Sequence, residues 1–590
     1  MNKVLLFFLV MWIAVGCTGR APASSTPSAT AIISTPLPLT PTSDLNGLWI
    51  SPSVPDQLRS LAQGWGIRST SNSSSALIKL DIASPSSSND QRSTWVYALV
   101  APFPTVTDGV TLADLKAAWN GSSSPLLTAP AGGVGEGHPL LMTDSTLAAF
   151  TALWGAPASG AVQTAPADQL VEAAWKNLPS WGLVPFEALD PKWKVLNVDS
   201  QSPIHKDFDA AKYPLQITFA LQGNLPLAFD LPASNRDASK LTTLIMTGTT
   251  SLVNAIAYQM EVKGLDYPAQ DIGDVLRQAD ILHVSNKTSF AQNCPPPNPS
   301  ASWPRCSDPK YIQLLTDVGV KVVELTGPHI LDDGVDPFLY TLGLYKQNDM
   351  QYYGGGANLA EARQPLLIQN HGNRIAFIGC NAGEPPQPLA TDNTPGANPC
   401  DYKQLAVEIG QVRAQGYLPI VTFQYKEGFS AQVMPWQLND FRQVAGDGAV
   451  IVSGSQSHVP LEMEFYKGAF IHYGLGNFFY DQMGNQPPDP TRPNIPIQPA
   501  QRWEFIDRHV FYDNRYIGTE LLTAMLEDYA RPRPMTADER AALLTAYFGY
   551  SGWLPLVPTP APEQTPTLYP LLIVSPLPTH TPMPKVTPTP

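Results

Sequence analysis

The sequence predicts an α/β protein made of two successive folded regions, on three observations. Short apolar runs rich in β-branched residues alternate with runs of helical period between residues 45 and 545. Small or polar turn residues follow the strand-like runs, as Ser453-Gly454-Ser455 follows the apolar run 449–452 (AVIV). The chain has 590 residues, 43% of them hydrophobic, enough for two or more substantial cores.

In the first region, 45–235, residues 94–101 (TWVYALVA) and 193–198 (WKVLNV) read as strands. Residues 112–119 (LADLKAAW) have helical period and stop at Asn120-Gly121, and a second helix over 167–175 is opened by Pro166. In the second region, 240–545, strands are expected at 241–246, 280–286, 320–325, 374–379, 418–423, 449–452 and 469–473. Helices are expected at 272–279, 314–318 and 405–414.

The ends differ from this middle. Residues 1–17 read as an export signal: Lys3 supplies the positive start, and the apolar run 4–15 is short for a membrane span. Ala14-Val15-Gly16-Cys17 resembles a bacterial lipoprotein processing box, which would leave Cys17 first and lipidated. The alternative is an ordinary secretory signal with an incidental cysteine. Residues 18–44 form a Pro/Ser/Thr-rich linker and 555–590 a Pro/Thr-rich tail, both expected to be disordered. The expected location is therefore the extracytoplasmic face of the membrane, by a lipid anchor.

A formal net charge of −14 argues against a nucleic-acid partner. Beyond Cys17 there are four cysteines, Cys294, Cys306, Cys380 and Cys400, which allow three pairings. Sequence proximity favours Cys294 with Cys306 and Cys380 with Cys400, and no Cys-x-x-Cys pair suggests zinc.

Two resemblances sharpen the functional expectation. Residues 110–121, Trp181-Gly182-Leu183-Val184-Pro185-Phe186 and Tyr213-Pro214-Leu215 are similar to pieces of phosphate-type bacterial substrate-binding proteins, which implies a ligand-binding fold in the first region. The run Gly132-Gly133-Val134-Gly135 reads as a loop in preference to an anion cradle. In the second region, Tyr473-Gly474-Leu475-Gly476-Asn477-Phe478, preceded by Gly454-Ser455-Gln456-Ser457-His458, resembles the closing signature of the CapA family of poly-γ-glutamate capsule synthesis. Ala279-Asp280, Asn286, His329, Asp332 and Gly334 fit the same pattern. The resemblance implies a metallophosphoesterase-like α/β/β/α sandwich and a role in making or handling an anionic envelope polymer or assisting its synthesis machinery.

It also implies where metal ligands would stand. Thr249, Thr288, Pro328, Gln424 and Gln456 occupy positions at which that family has Asp, Glu, Asn, His and His. Asn254 and Gly428 replace an arginine and a glutamate of the pattern. A binuclear site needs carboxylates to offset the cation charge. The expectation is a kept frame with a degenerate metal site and no cofactor. The alternatives are an active hydrolase or transferase with a rearranged site, the only reading that calls for a divalent metal, and a solute-binding sensor working through the first region. His329 and His458 are the candidate catalytic or anion-gripping pair, with two structural histidines as the other reading. His283 and His472 lie inside strands and read as core residues, Asp332 as a loop brace, and Glu462 and Glu464 as solvent-facing.

Overall fold

The computed structural model describes residues 46–84, 91–122, 138–223, 229–299, 306–383, 386–426, 430–455, 457–480 and 499–556. The expected signal with Cys17, the linker, Gly132 to Gly135, Gln456, Gly428 and the tail from 557 lie outside the described residues.

The first region is built on a mixed sheet centred on the twelve-residue strand Gln91–Pro102. Its run 95–101 is almost wholly buried, as an apolar strand covered on both faces must be. Gln91–Pro102 pairs antiparallel with Gln216–Gly223, Trp181–Pro185 and Trp193–Val198. The helices Asp56–Gln63, Leu112–Trp119, Asp144–Trp154 and Leu170–Lys176 bury Leu58, Leu115, Trp119, Phe150 and Leu170 against it. Thr111 opens the second of these helices with a capping box to Asp114, which satisfies N–H groups the helix itself leaves unpaired.

The second region is a four-layer α/β/β/α sandwich. One sheet runs, in spatial order, Gln351–Tyr353, Val320–Glu324, Ile281–Asn286, Leu241–Thr250, Trp503–Tyr512, Arg515–Glu527, Arg531–Pro534. Its first four strands are parallel and its last three are joined antiparallel. The other sheet runs Leu366–Asn370, Asn373–Asn381, Leu418–Gln424, Ile451–Ser455, Ala469–His472, Met463–Tyr466. Leu244, Met246, Phe505 and Phe511 of the first sheet share one core with Phe377, Ile420 and Phe470 of the second. Helices Asn254–Lys263 and Val335–Gln347 cover the first sheet's outer face through Ile256, Met260 and Phe338. Tyr402–Ala414 and Pro435–Asp447 cover the second through Leu405, Ile409, Phe441 and Val444.

The two regions share cores. Val510, Tyr512 and Ile517 pack into the first region's core, and Phe103 packs into the inter-sheet core of the second. Both expected disulfides are present, Cys294–Cys306 and Cys380–Cys400.

Two expectations need correction, and one element was not among them. The helix over 272–279 is only Gly273–Leu276, because this short segment turns twice before the strand at Ile281. The hairpin Trp503–Tyr512 and Arg515–Glu527 has no counterpart among the strands expected from the sequence. Glu462 and Glu464 are partly buried: Glu464 takes a two-pronged bond from Arg442 at 2.8 and 2.7 Å, and Glu462 accepts from the Val433 amide at 2.9 Å.

Candidate functional site

The carboxyl ends of the parallel strands are where an open α/β sheet gathers polar groups. Two glycines let them close together. A Cβ on Gly454 would stand 1.8 Å from the Tyr473 carbonyl oxygen, and one on Gly248 would stand 2.1 Å from that of Gly476. Gly476 itself has φ +85°, which a side chain disfavours. The chain after Ala469–His472 is thereby laid against the end of Leu241–Thr250. The Thr249 amide donates to Gly476 O at 3.0 Å, and the Phe478 amide donates to Thr249 O at 2.7 Å.

Asn477 is fully buried and organises one side of this cluster. Its amide Nδ2 donates to His458 O at 3.4 Å, which leaves Oδ1 to accept from His458 Nδ1 at 2.9 Å. His458 is also fully buried, with its ring 5.5 Å from that of Tyr480. On the other side, the Ser251 and Thr288 hydroxyls share a hydrogen bond at 2.5 Å, and Thr288 bridges His329 backbone to backbone. His329 Nδ1 lies 2.8 Å from Asp332 Oδ2. Gln424 lies beside Ser455 in register, and the Ser455 hydroxyl donates to Glu324 Oε1 at 2.7 Å across the two sheets. Thr326 donates to the same oxygen at 2.5 Å. Burial raises the Glu324 carboxyl above its ordinary range, and these hydroxyl bonds oppose the rise.

Thr249 thus meets His458 through Asn477, and Thr288 meets His329, while Gln424 pairs in register with Ser455, which bonds Glu324. Pro328 sits half-buried between Gly327 and His329. His283 and His472 stand apart, inside the sandwich. Burial lowers His283 to about 3, its Nε2 lying 2.8 Å from the Tyr353 hydroxyl, while His472 Nδ1 lies 2.8 Å from Asp507 Oδ2. Asn254 begins the helix Asn254–Lys263 with φ +49°.

One member of the cluster escapes a reading of the sequence. Lys287, between Asn286 and Thr288, is 1% exposed, and its ammonium lies 4.0 Å from the centroid of the Tyr480 ring, a cation–π contact. Its backbone is held so closely that a Cβ on Gly327 would come within 2.6 Å of its Cα. A lone lysine in a strand-end loop gives no sequence signal of burial. Three oxygens at these strand ends, Thr249 Oγ1, Gln424 Oε1 and Glu324 Oε2, are buried with no hydrogen-bond partner among the described residues. Among the described residues, no three His, Cys, Asp or Glu side chains are grouped so as to hold a metal ion.

The model of the family described as bacterial capsule synthesis protein PGA_cap matches residues 243–482, the stretch holding every one of these strand ends. Residues 243–482 are the part of this chain that is similar to the CapA family. The PGA biosynthesis protein CapA of Bacillus subtilis is 25% identical over 225 residues, 38% of this chain and 59% of that protein. The capsule biosynthesis protein CapA of Bacillus anthracis is 23% identical over 263 residues, 42% of this chain and 62% of that one. The chain therefore spans about three-fifths of the length of these CapA relatives. Among solved structures, a hypothetical protein from Thermus thermophilus aligns over 48% of this chain and 100% of its own at 14% identity and TM-score 0.32. An ABC-type phosphate transport receptor from Vibrio cholerae aligns over 31% of this chain and 88% of its own at 13% identity and TM-score 0.25. At these scores both are distant likenesses.

Proposed function

We propose that this protein is an exported, lipid-anchored CapA-like accessory of capsule or poly-γ-glutamate synthesis, whose strand-end site works on an anionic envelope polymer without a bound metal pair. The observation that carries the reading is the chemistry of the buried cluster. Thr249, Thr288 and Gln424, at most 2% exposed, offer only neutral oxygens, and Lys287, the neighbour of Thr288 in the chain, is buried with its ammonium over the Tyr480 ring. Divalent cations held by oxygen ligands need anionic ones to repay dehydration. The carboxylate bound into this cluster, Glu324, has one oxygen taken up by Thr326 and Ser455. The residues do not fit the metal pair that the fold family implies.

In this reading Lys287 supplies a cation that costs no metal uptake, and His329 and His458 supply imidazoles at the same strand ends. Cys17 and the 18–44 tether would place the site outside the membrane. The test pairs two measurements on the full chain. Metal content is determined after expression in medium supplemented with manganese, iron and zinc, and a labelled poly-γ-glutamate oligomer is titrated with and without EDTA. The expected result is well under one metal per chain and oligomer binding that EDTA leaves unchanged. Near-stoichiometric metal, or binding lost to EDTA, overturns the metal-free site; absence of oligomer binding overturns the assigned polymer.

A further inference from the structure

Away from the strand-end cluster, a cavity of about 280 Å3 opens where the first region meets the hairpin and the closing helix Ala537–Tyr550. Phe103, Lys194 and His205 line it from one side, and Arg508, Arg540 and Phe548 from the other. Ligand cavities favour such junctions and combine apolar walls with a few converging polar groups.

The charges around it do not balance. Three basic side chains, Lys194, Arg508 and Arg540, face two carboxylates, Asp108 and Glu520. Lys194 spends its three N–H groups on Thr105 O, Val106 O and Asp108 Oδ1 at 2.7 to 3.2 Å. Arg540 grips both oxygens of Asp108 and donates to Leu521 O. Arg508 differs. Its Nε donates to Glu520 Oε2 at 2.6 Å and its Nη2 lies 2.9 Å from His205 Nε2, but Nη1 donates to no described residue. The same His205 Nε2 lies 2.8 Å from Glu520 Oε1. A single ring nitrogen either donates to the carboxylate or accepts from the guanidinium, so one of these two contacts is always unmet. An anion accepting from Arg508 would resolve the conflict, leaving Nε2–H to donate to Glu520. Burial also lowers the Lys194 ammonium to about 8, the kind of perturbation that collects at binding sites.

We propose that this cavity binds a small organic anion, its carboxylate or phosphate end held by Arg508 and its apolar body lying against Phe103 and Phe548. Such a ligand contacts both regions at once and strengthens their junction. The rings of Phe103 and Phe548, 6.4 Å apart, form the apolar wall. Arginine suits the anionic end because its planar fork presents two parallel donors to a carboxylate or phosphate.

The test uses the full chain at pH 7 with four probes: benzoate, phenyl phosphate, inorganic phosphate and uncharged benzyl alcohol. Benzoate or phenyl phosphate is expected to raise the unfolding temperature saturably, the stronger of the two naming the preferred anionic group, while benzyl alcohol does nothing. Arg508→Gln is expected to weaken that binding at least tenfold. Should the variant not fold, wild-type protein is treated with phenylglyoxal and mapped by mass spectrometry; benzoate then protects Arg508 but not the exposed Arg413. No saturable shift with either organic anion, equal binding by Arg508→Gln, or unprotected Arg508 overturns the site. An equal response to benzyl alcohol overturns the anionic contact, and a response to inorganic phosphate that neither organic anion exceeds overturns the apolar one.

Discussion

Glu187 gives a pH dependence whose sign and size follow from its surroundings. It lies in the turn Phe186–Ala188, after the strand Trp181–Pro185. Its Oε2 accepts from Asn235 Nδ2 at 2.6 Å, and Asn235 in turn clasps both the amide and the carbonyl of Val96. Burial raises the carboxyl from its ordinary 4.5 to about 7, against the Asn235 bond and the charge of Arg515, which lower it. The folded protein therefore holds this proton more tightly than the unfolded chain does. Below pH 4.5 both states are protonated and nothing is lost. Between 4.5 and 7 the unfolded chain ionises first and stability falls; above 7 the loss is complete. At 1.36 kcal/mol per pH unit over this span, the loss is about 3 kcal/mol. Glu187→Gln keeps an acceptor for Asn235 and cannot ionise. Urea unfolding followed by tryptophan fluorescence should find variant and wild type equally stable at pH 4.5, with the variant ahead by about 3 kcal/mol at pH 8. Comparing the two proteins at each pH cancels every other titrating group. A difference that stays flat across this range would refute the assignment.

The strand-end packing and the disulfides give two further expectations. Gly454→Ala places a methyl 1.8 Å from a backbone oxygen that cannot give way, and should cost more than about 3 kcal/mol or prevent folding. Gly410→Ala, in the helix Tyr402–Ala414 with nothing within 4 Å, should gain roughly 0.5 to 1 kcal/mol; a similar loss in both variants by urea unfolding would contradict this contrast. Replacing Cys380 and Cys400 together by serine opens a loop of sequence separation 20 and should cost about 3 kcal/mol. A cost under about 1 kcal/mol in the same assay would show that this loop is already ordered in the unfolded chain.

What could be read from the sequence, and what could not, follows from how burial writes itself into residue type. Buried parallel strands such as Val320–Glu324 and Leu418–Gln424 are near-continuous apolar runs and stand out. Trp503–Tyr512 is as deeply buried but carries Glu504, Asp507, Arg508 and His509, which mask its pattern. Asp507 finds His472 only once a distant segment meets it, Arg508 finds Glu520 across the hairpin, and both Glu504 carboxylate oxygens are buried with no hydrogen-bond partner among the described residues. Glu462 and Glu464 looked solvent-facing for the converse reason, since Arg442 and the Val433 amide come from another element. At the strand ends the loops were legible because turn glycines and the Leu-Gly-Asn-Phe run are tied to backbone geometry. Lys287 was not, because its burial depends on Tyr480 and on the bare backbone of Gly327, far away in the chain.

The hairpin has a practical consequence. Trp503–Tyr512 zips onto Leu241–Thr250, the central strand of the full seven-stranded sheet, over residues 241–246, yet it begins twenty-one residues beyond the last residue matched by the family model, 482. A fragment trimmed to 243–482 would expose that strand's flank as a bare template for self-association. Sequence kinship and cooperative folding have different borders in this molecule, and expression work should respect the second.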